Sequence, residues 1–218
     1  MLAIQSLSLS IQNVPILRDA SLAIEAGTTC GLIGRNGAGK TTLMRSIMGL
    51  LPPEKGSITF NDIVLNDVKA HERAFLGIGY LPEDRRLVPH FTVEENIMVS
   101  LWATNSKNLN RMKWVYDLMP EIGRFSDRKA LTLSGGQQKL VALARALVSG
   151  TNLLLLDEPF EGVAPALAER LMEVISNLKS ENLSVLISES DYTHSEKVVD
   201  KVYSIERGRI DLMTELAA

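Results

Sequence analysis

Short apolar runs alternate along this chain with stretches in which apolar positions recur at helical spacing. Residues 28–33 read as a buried strand. The glycine-rich turn after it leads into a helix over residues 40–48, with Gly49 as its stop. Residues 77–81, 153–156 and 184–187 are further strand candidates, and helical sequence adjoins the last two. Strand–helix alternation of this kind predicts an α/β fold with a mainly parallel sheet covered by helices. Residues 4–11 and 57–60 read as edge strands or hairpins, an antiparallel β edge to that core.

The pattern changes over residues 84–133, where only short helical patterns occur. One begins at Thr92, with Glu95 three residues on, the spacing of a capping box. Another covers residues 109–118 and stops before Pro120. We therefore expect a single domain over residues 1–218, in which 1–83 and 136–218 form the core and 84–135 a helical subdomain inserted into it. There are no internal repeats and no low-complexity tract.

Composition narrows the class. With 218 residues, 45% hydrophobic and 22% charged, the chain suffices for one sizeable core. Its 23 basic and 26 acidic residues give a formal charge of −3, which offers no sequence-independent grip on nucleic acid. The single cysteine, Cys30, lies in an apolar run and reads as a buried core residue, in keeping with a reducing cytoplasm. Residues 1–10 lack the basic and apolar segments of a signal peptide. No run of about 18 uncharged apolar residues is present to span a bilayer, so a membrane role requires a partner.

Candidate chemistry begins right after the first buried strand. Gly34-Arg35-Asn36-Gly37-Ala38-Gly39-Lys40-Thr41-Thr42 fits G-x-x-x-x-G-K-[ST] between a strand and a helix. Glycines let the backbone curl so that successive N–H groups point at phosphate oxygens. The helix N-terminus adds partial positive charge, Lys40 a full one, and the Thr41 hydroxyl suits Mg²⁺. A turn that merely carries a lysine is the bland alternative, and strand, spacing and helix together weigh against it. Residues 153–159 form an apolar strand ending in Asp157, Glu158 and Pro159. Such a strand delivers an acid to the sheet edge where the phosphate loop lies. Asp157 is placed to hold Mg²⁺ and Glu158 to polarise an attacking water. Ser134, Gly135, Gly136 and Gln137 open a long amphipathic helix with Leu140, Leu143, Ala144 and Leu147 on one face. Ser134 is the expected N-cap, and the glycines leave the N-terminus bare for an anion.

Together these segments resemble the ABC ATPase family over nearly the whole chain. The resemblance implies a P-loop NTPase core with an inserted helical subdomain, and a head-to-tail pairing with a second ABC ATPase subunit, identical or homologous. Each ATP would lie between one subunit's phosphate loop and the other's Ser134-Gly135-Gly136-Gln137 segment. Closure would drive integral membrane permease subunits from the cytoplasmic face of the cell membrane. Residues 79–86, 91–96 and 157–165 look like the ATPases of branched-chain amino acid importers, which would add a periplasmic solute-binding protein as an indirect partner.

Four positions depart from the commonest family pattern. Glu83 stands where most members place glutamine, and would lie beside the γ-phosphate and Mg²⁺. Ile11 falls where an aromatic residue often stacks on adenine, and Ala164 where an aspartate is usual. Ser190 replaces a histidine that reaches the γ-phosphate; a hydroxyl is shorter and cannot become cationic. His194, four residues on, is a poor candidate to stand in for it. Slow hydrolysis, and a role as the ATP-holding half of an unequal pair, would follow. Two further readings are an ATPase of an ABC exporter or lipid transporter, which shares all the ATP chemistry, and a soluble ABC ATPase acting on ribosomes or DNA. One cassette, no heptads and no basic surplus weigh against the last.

Overall fold

Alternate side chains of the strand Leu153–Asp157 (β7) enter two different cores, Leu154 and Leu156 on one face and Leu153 and Leu155 on the other. That double burial explains why the strand reads as an unbroken apolar run. The computed structural model describes residues 1–104, 109–191 and 193–215. Around β7 lies a six-stranded sheet built from β3 (Thr29–Ile33), β6 (Ile78–Leu81), β8 (Ser184–Glu189), β9 (Lys201–Glu206) and β10 (Arg209–Glu215), in the order β10-β9-β3-β8-β7-β6. Neighbours are parallel except β9 and β10, which form an antiparallel hairpin.

The antiparallel strands are a separate four-stranded sheet of β1 (Leu2–Ile11), β2 (Val14–Ile24), β4 (Lys55–Phe60) and β5 (Ile63–Val64), in the order β2-β1-β4-β5. Of the two readings for these segments, edge strand or hairpin, the second holds: β1 and β4 are interior to the sheet, and each forms an antiparallel hairpin with the strand that follows it. Helix α1 (Lys40–Ile47) packs between the two sheets, with Leu43, Met44 and Ile47 fully buried beside Ile4, Ile58 and Leu155. Cys30 belongs to the same core, and burial pushes its thiol up to about 11. α1 is closed by Met48 as its C-cap, and Gly49 follows with φ +71°. A Cβ there would lie 2.7 Å from the Arg73 guanidinium. That side chain, at the end of α2 (Ala70–Arg73), caps the helix by donating to the carbonyls of Ser46 at 2.8 Å and Ile47 at 2.6 Å.

Between β6 and the long helix α5 (Gly135–Ser149) the described residues form α3 (Val93–Ala103), α4 (Leu109–Leu118) and two 3-10 turns. The only β pairing among them is an isolated bridge from Thr92 to Lys129. Thr92 caps α3 reciprocally: Glu95 N–H donates to Thr92 Oγ1 at 3.1 Å, and Thr92 N–H to Glu95 Oε2 at 2.7 Å. Helix α6 (Pro165–Leu178) follows β7, and its Leu171, Val174, Ile175 and Leu178 close the core on that face.

Candidate functional site

The turn between β3 and α1 is built by close approach. A Cβ on Gly34 would lie 2.3 Å from the Ile205 carbonyl oxygen of β9, and Gly39 sits at φ +116°. α1 starts with no side-chain cap, so its first N–H groups face the turn. Lys40 is buried, 3% exposed. Its ammonium donates to the carbonyls of Gly34 and Arg35 and forms an ion pair with Glu158 Oε1 at 3.0 Å.

Asp157 ends β7 fully buried, accepting from Ser188 Oγ at 2.8 Å, Thr41 Oγ1 at 3.2 Å and Tyr80 Oη at 3.2 Å. Burial pushes the carboxyl above its usual range, and the three hydroxyls offset this only in part. Burial and the Asp157 charge raise the Tyr80 phenol in turn. Among the described residues, no hydrogen-bond donor to Asp157 is a cation. A buried carboxylate and an adjacent hydroxyl are hard oxygen donors of the kind Mg²⁺ takes together with substrate phosphates and water. No group of three or more His, Cys, Asp or Glu among the described residues could hold a metal alone. The set therefore fits Mg²⁺ only when phosphate oxygens complete it.

Glu158 follows in the left-handed region, φ +47°. Its N–H donates to Ser188 Oγ at 3.1 Å, and its carbonyl accepts from the buried Lys139 ammonium at 2.7 Å. Ser190 Oγ lies 2.9 Å from Asn36 Oδ1 and 3.4 Å from Glu158 Oε2. Burial pushes Glu158 up, but hydrogen bonds from Glu161 and Lys40 and the lysine charge hold it below the usual range. Glu161 shows the converse: its hydrogen bond to Glu158 and the charge of that carboxylate push it up to about 7.

Two cavities share Asn36 and Glu158 as lining. One, of about 380 Å³, is bounded by Ile16, Gly37, Gly39, Lys40, Thr41, Thr42 and Glu83 as well. The other, of about 290 Å³, adds Phe160, Glu161, Glu189, Ser190, Asp191 and His194, whose ring stacks on Phe160 at 5.2 Å. The fold thus gathers Glu83, Glu158, Ser190 and Asp157 around the phosphate loop. Ser134, Gly135, Gly136 and Gln137 line neither cavity. Ser134 caps α5 by accepting from Gln137 N–H at 3.2 Å, and its own N–H donates to Gln137 Oε1 at 3.0 Å. Ile11 is 39% exposed and also lines neither, whereas Ile16 faces the loop. Ala164 is the N-cap of α6 without a side-chain bond. The sequence alone assigns no role in the site to Tyr80, Ser188, Lys139 or Glu161. The available signal for Tyr80 and Ser188 is their place near the ends of strands flanking β7, where Ser188 is registered opposite Asp157.

A glycine-curled turn from a parallel strand into a helix, with a buried carboxylate two strands away, defines a phosphate-loop nucleotide-binding core. Residues 17–161 match the family model described as ABC transporter. The chain is 34% identical over 211 residues to the high-affinity branched-chain amino acid transport ATP-binding protein BraG of Pseudomonas aeruginosa, covering 96% of this chain and 91% of that protein. The chain belongs to the ABC transporter family as its ATP-binding subunit, an ABC-type ATPase. It is also 32% identical to the lipopolysaccharide export system ATP-binding protein LptB of Escherichia coli K12, covering 96% of this chain and 88% of that protein. A nucleotide-free ATP-binding cassette from an ABC transporter superposes with a TM-score of 0.85 at 25% identity, covering 99% of this chain and 91% of that one.

Proposed function

We propose that this chain binds and hydrolyses ATP to energise import of branched-chain amino acids or a related small solute. The observation that carries the catalytic part is the convergence of Lys40, Thr41, Asp157, Glu158 and Glu83 at one turn above the bare N-terminus of α1. On this reading the loop N–H groups from Gly34 to Thr42 hold the phosphates, and Lys40 exchanges Glu158 for the β- and γ-phosphate oxygens. Thr41 and Asp157 would hold Mg²⁺, which would supply positive charge to offset that of the phosphates. Glu158, released from Lys40, takes a hydrogen bond from the attacking water, with Glu83 and Ser190 beside it.

Ser134, Gly135, Gly136 and Gln137, which line neither cavity at the loop of their own chain, serve a nucleotide held by a second ABC ATPase subunit, identical or homologous. No helix among the described residues is long and apolar enough to cross a membrane. Transport therefore falls to permease subunits on which this chain docks at the inner face, with a periplasmic solute-binding protein supplying the cargo and no nucleic acid involved. The branched-chain assignment is supported by the resemblance to BraG and by residues 79–86, 91–96 and 157–165.

Lys40→Ala is expected to weaken ATP binding at least about tenfold, the loss of a charged hydrogen bond, as measured by equilibrium dialysis. Unchanged affinity rejects the phosphate-loop assignment. The cargo is tested in vesicles carrying the chain with the permeases that copurify with it, where ATP-dependent uptake of labelled leucine is expected. The similarity to LptB favours a second reading, export of a lipid-linked substrate; permeases that move lipid and no amino acid establish it instead.

A further inference from the structure

Lys139 lies in the second turn of α5 and is 1% exposed. Burying an ammonium is costly unless it is partnered. The one hydrogen-bond acceptor of Lys139 among the described residues is the Glu158 carbonyl, at 2.7 Å. Burial and the Arg85 charge together hold the lysine below its usual range, despite Glu161, Glu83 and Glu158 nearby. An apolar side chain would fill the same space at lower cost, so what lysine adds is a donor aimed at that carbonyl. The peptide it grips is a strained one: Glu158 has φ +47°, a region a residue with a Cβ keeps only where its surroundings over-determine it. Ser188 Oγ fixes the N–H side at 3.1 Å, and Lys139 fixes the carbonyl side.

We propose that Lys139 is a positioning residue for ATP hydrolysis: its ammonium clamps the Glu158 carbonyl and so holds the left-handed turn that aims the Glu158 carboxylate at Lys40 and the phosphate loop. This rests on the reading of Glu158 given above. With the clamp gone, Glu158 relaxes toward negative φ and its carboxylate swings off the loop. Asp157 stays, because β7 and three hydroxyls hold it. Turnover should therefore fall while nucleotide binding persists.

The test is a double-mutant cycle on the full chain in the complex that copurifies with it, comparing Lys139→Met, Glu158→Gln and the double variant. Lys139→Met is expected to lower kcat by about 10- to 100-fold, the penalty of a misplaced catalytic group. KM for Mg·ATP and melting temperature should stay close to the parent values. In the Glu158→Gln background, followed under single-turnover conditions, Lys139→Met should cause no further loss. The proposal is overturned if Lys139→Met keeps full turnover while Glu158→Gln abolishes it, or if it lowers the residual Glu158→Gln rate by the same factor. Full turnover in Glu158→Gln itself overturns the assignment of Glu158 instead. Should Lys139→Met not accumulate as folded chain, Lys139→Leu, which likewise removes the donor and fills the space with an apolar side chain, enters the same cycle under the same criteria.

Discussion

Glu158 and Glu161 behave as one titrating pair, because two carboxylates in hydrogen-bond contact cannot both ionise freely. Glu161 keeps its proton up to about 7 against a reference of 4.5. A carboxyl raised in this way binds more protons folded than unfolded between those values, so its contribution to stability is present at low pH and is lost as pH rises through the window. Glu161→Gln removes the repulsion. Its melting temperature should exceed that of the parent by a margin that widens from about pH 5 to about pH 8. A margin that is constant, or that widens toward acid, contradicts the shared proton. Ser190 sits across the same carboxylate, its hydroxyl within 3.4 Å of Glu158 Oε2 and 2.9 Å of Asn36 Oδ1. An imidazole there would reach farther and could carry charge. If the serine limits hydrolysis, Ser190→His raises turnover of the assembled transporter at least about tenfold. Flat turnover in Ser190→His beside abolished turnover in Glu158→Gln shows that the site is already competent.

Elements whose own sequence carries their signal were legible: β3, β7 and β8 as apolar runs, α1 through its glycine-rich entry, and α3 and α5 through Thr92 and Ser134. β2 was not. Pro15, Arg18 and Asp19 interrupt its alternation, and the sheet tolerates them because β2 is an edge strand with register shifts against β1. The β9–β10 hairpin is equally hard to read from sequence, since its turn is Arg207-Gly208 at φ +48° and +80°, without the Asn or Asp that announces such a turn. On β10, Leu212 and Met213 are both more than half exposed, which blurs the alternation further. At the site, Lys40, Thr41, Asp157 and Glu158 could be read because each lies inside a short contiguous motif. Lys139 could not, because a lysine within an amphipathic helix reads as solvated until the docking of α5 on the β6 edge of the sheet is known. Nor does any sequence pattern announce the left-handed backbone of Glu158.

The whole molecule joins its two sheets at the phosphate loop, and Gly208 is the wedge. Its N–H donates to the Ala38 carbonyl of the loop at 3.0 Å, and its carbonyl accepts from Arg18 N–H of β2 at 2.9 Å. A Cβ on Gly208 would lie 1.9 Å from the Ile16 carbonyl oxygen, a backbone atom that cannot turn aside. The hairpin tip, the antiparallel sheet and the nucleotide-binding turn thus meet where only glycine fits. Gly208→Ala should cost at least about 3 kcal/mol, since the left-handed backbone and a backbone clash add. It should also weaken ATP binding by shifting the loop. Gly162 supplies the comparison, because it shares a positive φ of 66° but has nothing within 4 Å of where its Cβ would be. Gly162→Ala should carry the conformational term alone, about 1 kcal/mol. Denaturant unfolding of the two variants measures the difference, and equal losses would mean that the sheets have room to part at Gly208 and that the loop is not braced there.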